Sequence, residues 1–298
     1  MRVFVTGATG FIGSAIVQEL IGAGHRVFGL ARSDAAASSL AAGGAEVHRG
    51  ALDDLDSLRR GAAASDGVIH TAFIHDFSQY VANAEIDQRA IEAIGAALAG
   101  SGRPFVVTSG TALLTPGRLG TEQDAGDPNS PAAPRVASEV VALSMASRGV
   151  RVTLVRLPPS VHDPVKQGMV THMIATAREK GMAAYVGDGL NRWPAVHRLD
   201  AANLYRLALE KGSAGDRFHG VAEEGVPLRD IANAIGRGLN VPVIAKSPAE
   251  AAEHFGWLAD FLGVDCPASS ALTRERLGWR PRQPGLIPDL DRARYFEA

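Results

Sequence analysis

The chain has 298 residues, 46% of them hydrophobic and 21% charged, and its 30 basic and 32 acidic side chains leave a formal net charge of −2. That balance excludes a disordered or fibrous chain, and the near-neutral charge excludes nucleic acid or an anionic membrane as main partner. A single cysteine, Cys266, excludes an intramolecular disulfide framework and a cysteine-rich metal site, so no metal is expected.

Val3–Val5 reads as a short buried strand and Phe11–Ala23 as a helix, with Ile12, Ala15, Ile16, Glu19 and Leu20 at helical spacing and Gly24 as the stop. There follow a strand at Arg26–Leu30, a helix at Ala35–Ala42, a strand at Ala45–His48, a helix at Leu55–Ala63 and a strand at Gly67–His70. A long Ala-rich helix at Val81–Ala99, a strand at Pro104–Thr108, a helix at Pro134–Ser147 and a strand at Val150–Val155 complete the regular half. Strands alternating with helices of this length predict right-handed βαβ crossovers and a doubly wound parallel sheet. The expected fold class is therefore α/β, with a Rossmann dinucleotide-binding domain over 1–157.

Residues 114–134, rich in Gly, Pro, Asp and Ser, read as a surface loop. Beyond 157 the periodicity weakens, which predicts a small, mainly substrate-binding region over 158–298, with a later strand near 195–220 able to return to the sheet. Phe255, Trp257, Phe261 and Trp279 read as lid or packing residues, and His48 and His219 as strand-end residues without a role. No apolar run is long enough to span a bilayer, and the first residues lack a signal-peptide pattern, so no membrane is expected and a cytoplasmic location is.

Thr6-Gly7-Ala8-Thr9-Gly10-Phe11-Ile12-Gly13 follows the first strand and opens the first helix. Gly7 permits a tight turn, Gly10 lets the backbone approach a pyrophosphate, and Gly13 lets helix and strand pack closely. The helix start adds unpaired N–H groups and positive partial charge. The strand–turn–helix context makes this a dinucleotide cradle in which Gly7, Thr9, Gly10, Phe11, Ile12 and Gly13 contact the cofactor.

The spacing Gly-x-x-Gly-x-x-Gly resembles that of the extended short-chain dehydrogenase/reductases, the epimerase/dehydratase-like branch. The resemblance extends to His70-Thr71-Ala72, Val107-Thr108-Ser109, Arg156-Leu157-Pro158 and the run from Trp193 through His197 to Asp200. It implies further cofactor contacts from Thr71, Ala72, Phe73, Thr108 and Pro158, and backbone contact from Ala51 and Leu52, where relatives carry Gly-Asp-Leu.

Arg32 and Ser33 stand where an acidic residue would select NAD, 19 positions past Gly13 in the case of Arg32. A guanidinium beside a hydroxyl suits a 2′-phosphate, so NADP is favoured, with NAD as the alternative if Asp34 takes the ribose.

The resemblance also implies a Tyr-x-x-x-Lys pair on the helix after the fifth strand. If Glu139 keeps its family position four residues after the lysine, Arg135 stands for the lysine and Pro131 for the tyrosine. Arg135 can hold ribose hydroxyls and stabilise an oxyanion but cannot donate a proton. Ser109 and Thr111 can orient a carbonyl oxygen. His75 and His162 are the candidate acids, with Tyr80 and Tyr185 as weaker ones, while Tyr185, Asn191, Arg192, Trp193 and His197 are expected to line the substrate pocket.

Three functions compete: an NADP-dependent oxidoreductase on a small carbonyl or alcohol, an NAD(P)-binding sensor without catalysis, and a sugar-nucleotide epimerase or dehydratase. The Ala-rich faces of 81–99 and 134–147 are compatible with a homodimer.

Overall fold

A computed structural model describes residues 1–130, 132–164, 168–292 and 295–297; Pro131, the residue aligned with the family tyrosine, lies outside them. Its first half runs β1 (Arg2–Thr6), α1 (Phe11–Gly22), β2 (Arg26–Ala31), α2 (Asp34–Ala42), β3 (Glu46–Arg49), α3 (Leu55–Ala63), β4 (Gly67–His70), α4 (Tyr80–Leu98), β5 (Pro104–Gly110), α5 (Val136–Ser144) and β6 (Arg151–Leu157). Its second half runs β7 (Ser160–His162), α6 (Met169–Lys180), β8 (Ala183–Val186), β9 (Arg192–His197), α7 (Arg198–Lys211), β10 (Arg217–His219), β11 (Glu223–Pro227), α8 (Leu228–Leu239) and β12 (Val243–Lys246), then the helices α9 (Pro248–Phe255), α10 (Ala259–Leu262), α11 (Ala271–Leu277) and α12 (Leu286–Leu290).

Seven strands form one parallel sheet in the order β10-β6-β5-β4-β1-β2-β3. The expected doubly wound α/β architecture is thus the observed one. Alternation along each strand sorts its side chains between two helical layers. Val3, Val5, Ile69 and Val106 pack towards α1 and α7 with Ile16, Leu20, Leu204 and Phe218. Their neighbours Phe4, Val68, Phe105 and Val107 face α3, α4 and α5 with Leu58, Ile91, Ile94 and Met145. A fully buried side chain of this size contributes about 1.5–3 kcal/mol, so the carboxyl edge of the sheet is a rigid platform.

The second lobe is more regular than its sequence suggests. A three-stranded sheet β11-β9-β7 and a parallel pair β12-β8 pack with α6, α8 and α9 around Met173, Ile174, Trp193, Ile231 and Phe255. These strands have three to six residues, too few for a clear periodicity. The strand β10 lies in the main sheet, beside β6.

Two local expectations need correction. The helix read over Pro134–Ser147 is α-helical only over Val136–Ser144, with 3₁₀ turns on either side, the first holding Pro134 and the last stopping at Gly149 with φ +73°. The 114–134 loop is not purely superficial. Gly120 bridges Ala268, and the buried Glu122 carboxylate accepts bonds from the Thr273 N–H and hydroxyl. Of the C-terminal aromatics, Trp279 is fully buried and donates to the Asp200 carbonyl, whereas Trp257 is exposed.

Candidate active site

The glycine turn sits at the centre of the sheet's carboxyl edge. Gly7 adopts φ +66°, and a Cβ there would lie 2.7–2.9 Å from Thr71 and Ala72. A Cβ on Gly13 would lie 2.0 Å from the Gly7 carbonyl oxygen. The loop is thus closed on itself by the Gly10 N–H to Gly7 carbonyl bond of 2.9 Å. Gly10 caps α1 without a side-chain hydrogen bond, leaving the first N–H groups of the helix to a ligand. This geometry fits a dinucleotide diphosphate: the cradle is backbone, and side chains on these glycines would fill it.

Around the cradle, Thr9 is exposed, while Phe11, Ile12 and Phe73 are half-buried. Thr71 donates to the Thr6 carbonyl, 2.7 Å, and the Ala72 N–H to the Thr6 hydroxyl, 3.3 Å, so the segment after β4 is tied to the strand that leads into the loop. Ala51 and Leu52 occupy the turn between β3 and α3, next to the end of β2. Arg32 stands exposed just beyond β2, and Ser33 caps α2 through the Ala36 N–H. Asp34 forms an ion pair with Arg49. Pro158 is buried just after β6.

A buried polar chain runs from this loop to Arg135. The Thr6 hydroxyl meets His70 Nδ1 at 2.8 Å, and His70 Nε2 meets Asp87 Oδ1 at 3.1 Å. Because a carboxylate only accepts, Nε2 carries a proton and donates it to Asp87. Asp87 Oδ2 then faces the Arg135 guanidinium at 3.7 Å. Arg135 donates to the Thr108 carbonyl at 2.9 Å and lies over the Phe73 ring, 4.3 Å from its centroid. The Thr108 hydroxyl contacts the Tyr205 hydroxyl at 2.8 Å and donates to the His70 carbonyl at 2.7 Å. Burial works to raise the Asp87 pKa, but the His70 hydrogen bond and the Arg135 charge outweigh it and keep the carboxyl ionised.

Beside Arg135, at the end of β5, the Ser109 and Thr111 side chains are buried. Ser109 stands near the Glu139 carboxylate without a close hydrogen bond, and the Thr111 hydroxyl has no partner among the described residues. Unsatisfied buried hydroxyls are costly and are expected where a ligand completes them. Next to them Ala112, Pro159, Trp193, Phe261, Val264 and Cys266 line a narrow apolar crevice.

Several other sequence candidates are engaged elsewhere. Arg192 pairs with Asp265 through both nitrogens, and the Asn191 amide donates to the Leu262 and Val264 carbonyls, so both polar heads are consumed in holding the chain before α11. His162 is buried and shares the Asp289 carboxylate with Tyr295 at 2.8 and 2.6 Å. His197 caps α7 through the Leu199 N–H, and its ring stands edge-on to His162. Tyr185 packs by Gly189 in the second lobe. His219, read as having no role, is buried and bonds Arg156 and the Ser269 carbonyl. Burial and the Arg156 charge push its pKa down to about 4, so it stays neutral. Arg156 itself makes a fully buried two-point pair with Glu139.

Brought together at the cradle are Thr71–Phe73, His75, Thr108–Thr111 and Arg135. Sequence reasoning missed His70, Asp87 and Tyr205. A signal for Asp87 existed: it lies on the buried face of α4 with Asn83, Ala84, Ala90, Ile91 and Ile94, and a lone acid on such a face needs a partner.

A seven-stranded parallel sheet with a glycine turn at its switch point defines a nucleotide-binding α/β enzyme. Residues 3–221 match the model of the NAD dependent epimerase/dehydratase family, and the chain belongs to that family. It is an enzyme of the NAD(P)-dependent short-chain dehydrogenase/reductase type. An uncharacterized protein of Schizosaccharomyces pombe is 52% identical over 297 residues, covering 99% of this chain and all of that one. The 2-alkyl-3-oxoalkanoate reductase of Stenotrophomonas maltophilia is 26% identical over 83% of this chain and 78% of its own. The fold matches the crystal structure of a dTDP-glucose 4,6-dehydratase from Streptomyces venezuelae with NAD and TYD bound, with a TM-score of 0.80 at 22% identity, covering 99% and 96% of the two chains. Among the described residues no helix is long and apolar enough to cross a membrane.

Proposed function

We propose that this protein is an NADP-dependent oxidoreductase that interconverts a small carbonyl compound and its alcohol. One observation carries the reading: Arg135 is anchored at the end of β5 by the Thr108 carbonyl and Asp87, beside the two buried hydroxyls of Ser109 and Thr111 that lack a close partner. The residues that would hold the coenzyme are Gly7–Gly13 at the diphosphate, Arg32 and Ser33 at the 2′-phosphate, Ala51 and Leu52 near the adenine, and Thr71–Phe73, Pro158 and Arg135 towards the reacting end. When bound, the coenzyme supplies or accepts hydride. Ser109 and Thr111 orient the carbonyl oxygen by donating hydrogen bonds, and the fixed positive charge of Arg135 favours the charge that develops there.

A sugar-nucleotide epimerase or dehydratase is disfavoured, because that chemistry cycles hydride and proton through the family tyrosine, and no tyrosine of this chain is followed four residues later by a lysine. The reductase named above acts, by its name, on an oxo acid, which supports carbonyl chemistry in this family. The second reading is a coenzyme-binding sensor; it is favoured by the sequence, in which no tyrosine is followed four residues later by a lysine.

The test is NADPH consumption against a panel of aliphatic and aromatic aldehydes and ketones. Turnover of at least one, reduced about 100-fold or more in Ser109→Ala and in Arg135→Ala, is expected. Coenzyme binding with no turnover across the panel favours the sensor. Turnover unchanged in both variants refutes the site assignment.

A further inference from the structure

The reading above leaves the proton unassigned. Arg135 never gives one up at working pH, and an unassisted serine or threonine hydroxyl is a poor acid. His162 is held through Nδ1 by the Asp289 carboxylate, and His197 caps the start of α7.

One ring organises the remaining candidates. Phe73, half-buried after β4, lies under the Arg135 guanidinium at 4.3 Å, edge-on to His75 at 5.4 Å and edge-on to Tyr80 at 6.1 Å between centroids. Tyr80 is the first residue of α4, the helix that carries Asp87 two turns further on, and it is half-buried. We infer that Tyr80 is the proton donor of this site, a tyrosine and a guanidinium brought together by the β4–α4 connection and the start of α5 rather than by one helix. The inference rests on the oxidoreductase reading.

The chemistry separates the two titratable neighbours of Phe73. Desolvation against its neighbours and the Arg135 charge both push the His75 pKa down. His75 is therefore neutral at pH 7 and has little cationic form to donate. Burial raises the pKa of Tyr80, the Arg135 charge offsets part of that and Asp87 adds to it, so Tyr80 holds its proton across the working range. An alkoxide is more basic than a phenolate, so the transfer runs downhill. In the reduction, a bound reduced coenzyme would supply the hydride to the carbonyl carbon, and the C=O electron pair would move to oxygen. The Tyr80 O–H bond breaks, its proton passes to that oxygen, and the phenolate stands near the Arg135 charge until solvent water returns a proton. The oxidation runs the same steps backwards.

The experiment compares the wild-type enzyme, Tyr80→Phe and His75→Asn in NADPH consumption with the best substrate of the carbonyl panel. Phe keeps the ring packed on Phe73 and removes only the hydroxyl. For Tyr80→Phe, kcat is expected to fall about 100- to 1,000-fold, the solvent deuterium isotope effect on kcat to change, and KM and NADPH affinity to stay within about threefold. His75→Asn is expected to keep kcat within about tenfold. A Tyr80→Phe enzyme within about threefold of wild type overturns the inference alone, as does a loss confined to His75→Asn. A wild type that binds NADPH but turns over no carbonyl overturns both this inference and the function on which it rests.

Discussion

Asp87→Asn tests the buried chain that joins the glycine loop to Arg135. The side chain is nearly isosteric and can still accept from His70 Nε2–H through its carbonyl oxygen, but its NH₂ then points at the guanidinium, donor against donor. A hydrogen bond to a charged group is worth about 1.5–3 kcal/mol, and breaking a buried ion pair costs about 3–5 kcal/mol. The 3.7 Å separation and the 16% exposure of the Arg135 side chain place this case at the lower end, so about 2–3 kcal/mol is expected. In a chain of this size 1 kcal/mol moves Tm by about 2 °C, giving a fall of roughly 4–6 °C. The folded pKa of Asp87 is lowered, so its contribution is fully present above the unfolded value of about 3.9 and is lost as pH falls through the folded value. Thermal unfolding of both proteins between pH 7 and pH 3, with ligand absent, is the assay. The gap should be full at pH 7 and shrink towards pH 3. A gap that is absent at pH 7, or equal at both ends, refutes the charge pairing.

Gly13→Ala places a Cβ 2.0 Å from the Gly7 carbonyl oxygen; the turn must open, and fluorescence titration is expected to show no uptake of NADPH or NADH. Arg32→Ala removes the exposed guanidinium beyond β2 while Asp34 stays paired with Arg49. Its NADPH affinity should fall about 10- to 100-fold, as for losing a charge-assisted pair, with NADH affected about threefold at most; equal losses for the two coenzymes contradict the 2′-phosphate assignment.

The first half of the chain was legible because its signals are local. The central strands β1, β4, β5 and β6 show apolar runs buried on both faces, the longer helices a repeat of small and apolar residues, and the glycine loop depends on eight consecutive residues whose spacing dictates the turn. The second half was not, because β7–β12 are short and owe their pairing to distant partners: β9 lies between β7 and β11, and β10 leaves that lobe to join β6. Arg192 shows the same limit on function. An arginine next to Trp193 reads as a substrate contact, and only its two-point pair with Asp265, 73 residues away, reveals it as part of the scaffold.

What the amino-acid order determined alone is the parallel sheet, the backbone cradle at its switch point and the cationic end of β2, since sterics and hydrogen bonding within a few residues decide each of them. The tertiary structure decided which side chains meet at the reacting end. Arg135, Phe73, Tyr80 and Asp87 come from three separate segments, and their mutual distances depend on how α4 and the start of α5 pack against β4 and β5. No spacing along the chain encodes that packing, because it is set by burial of the opposite faces of those helices against the sheet.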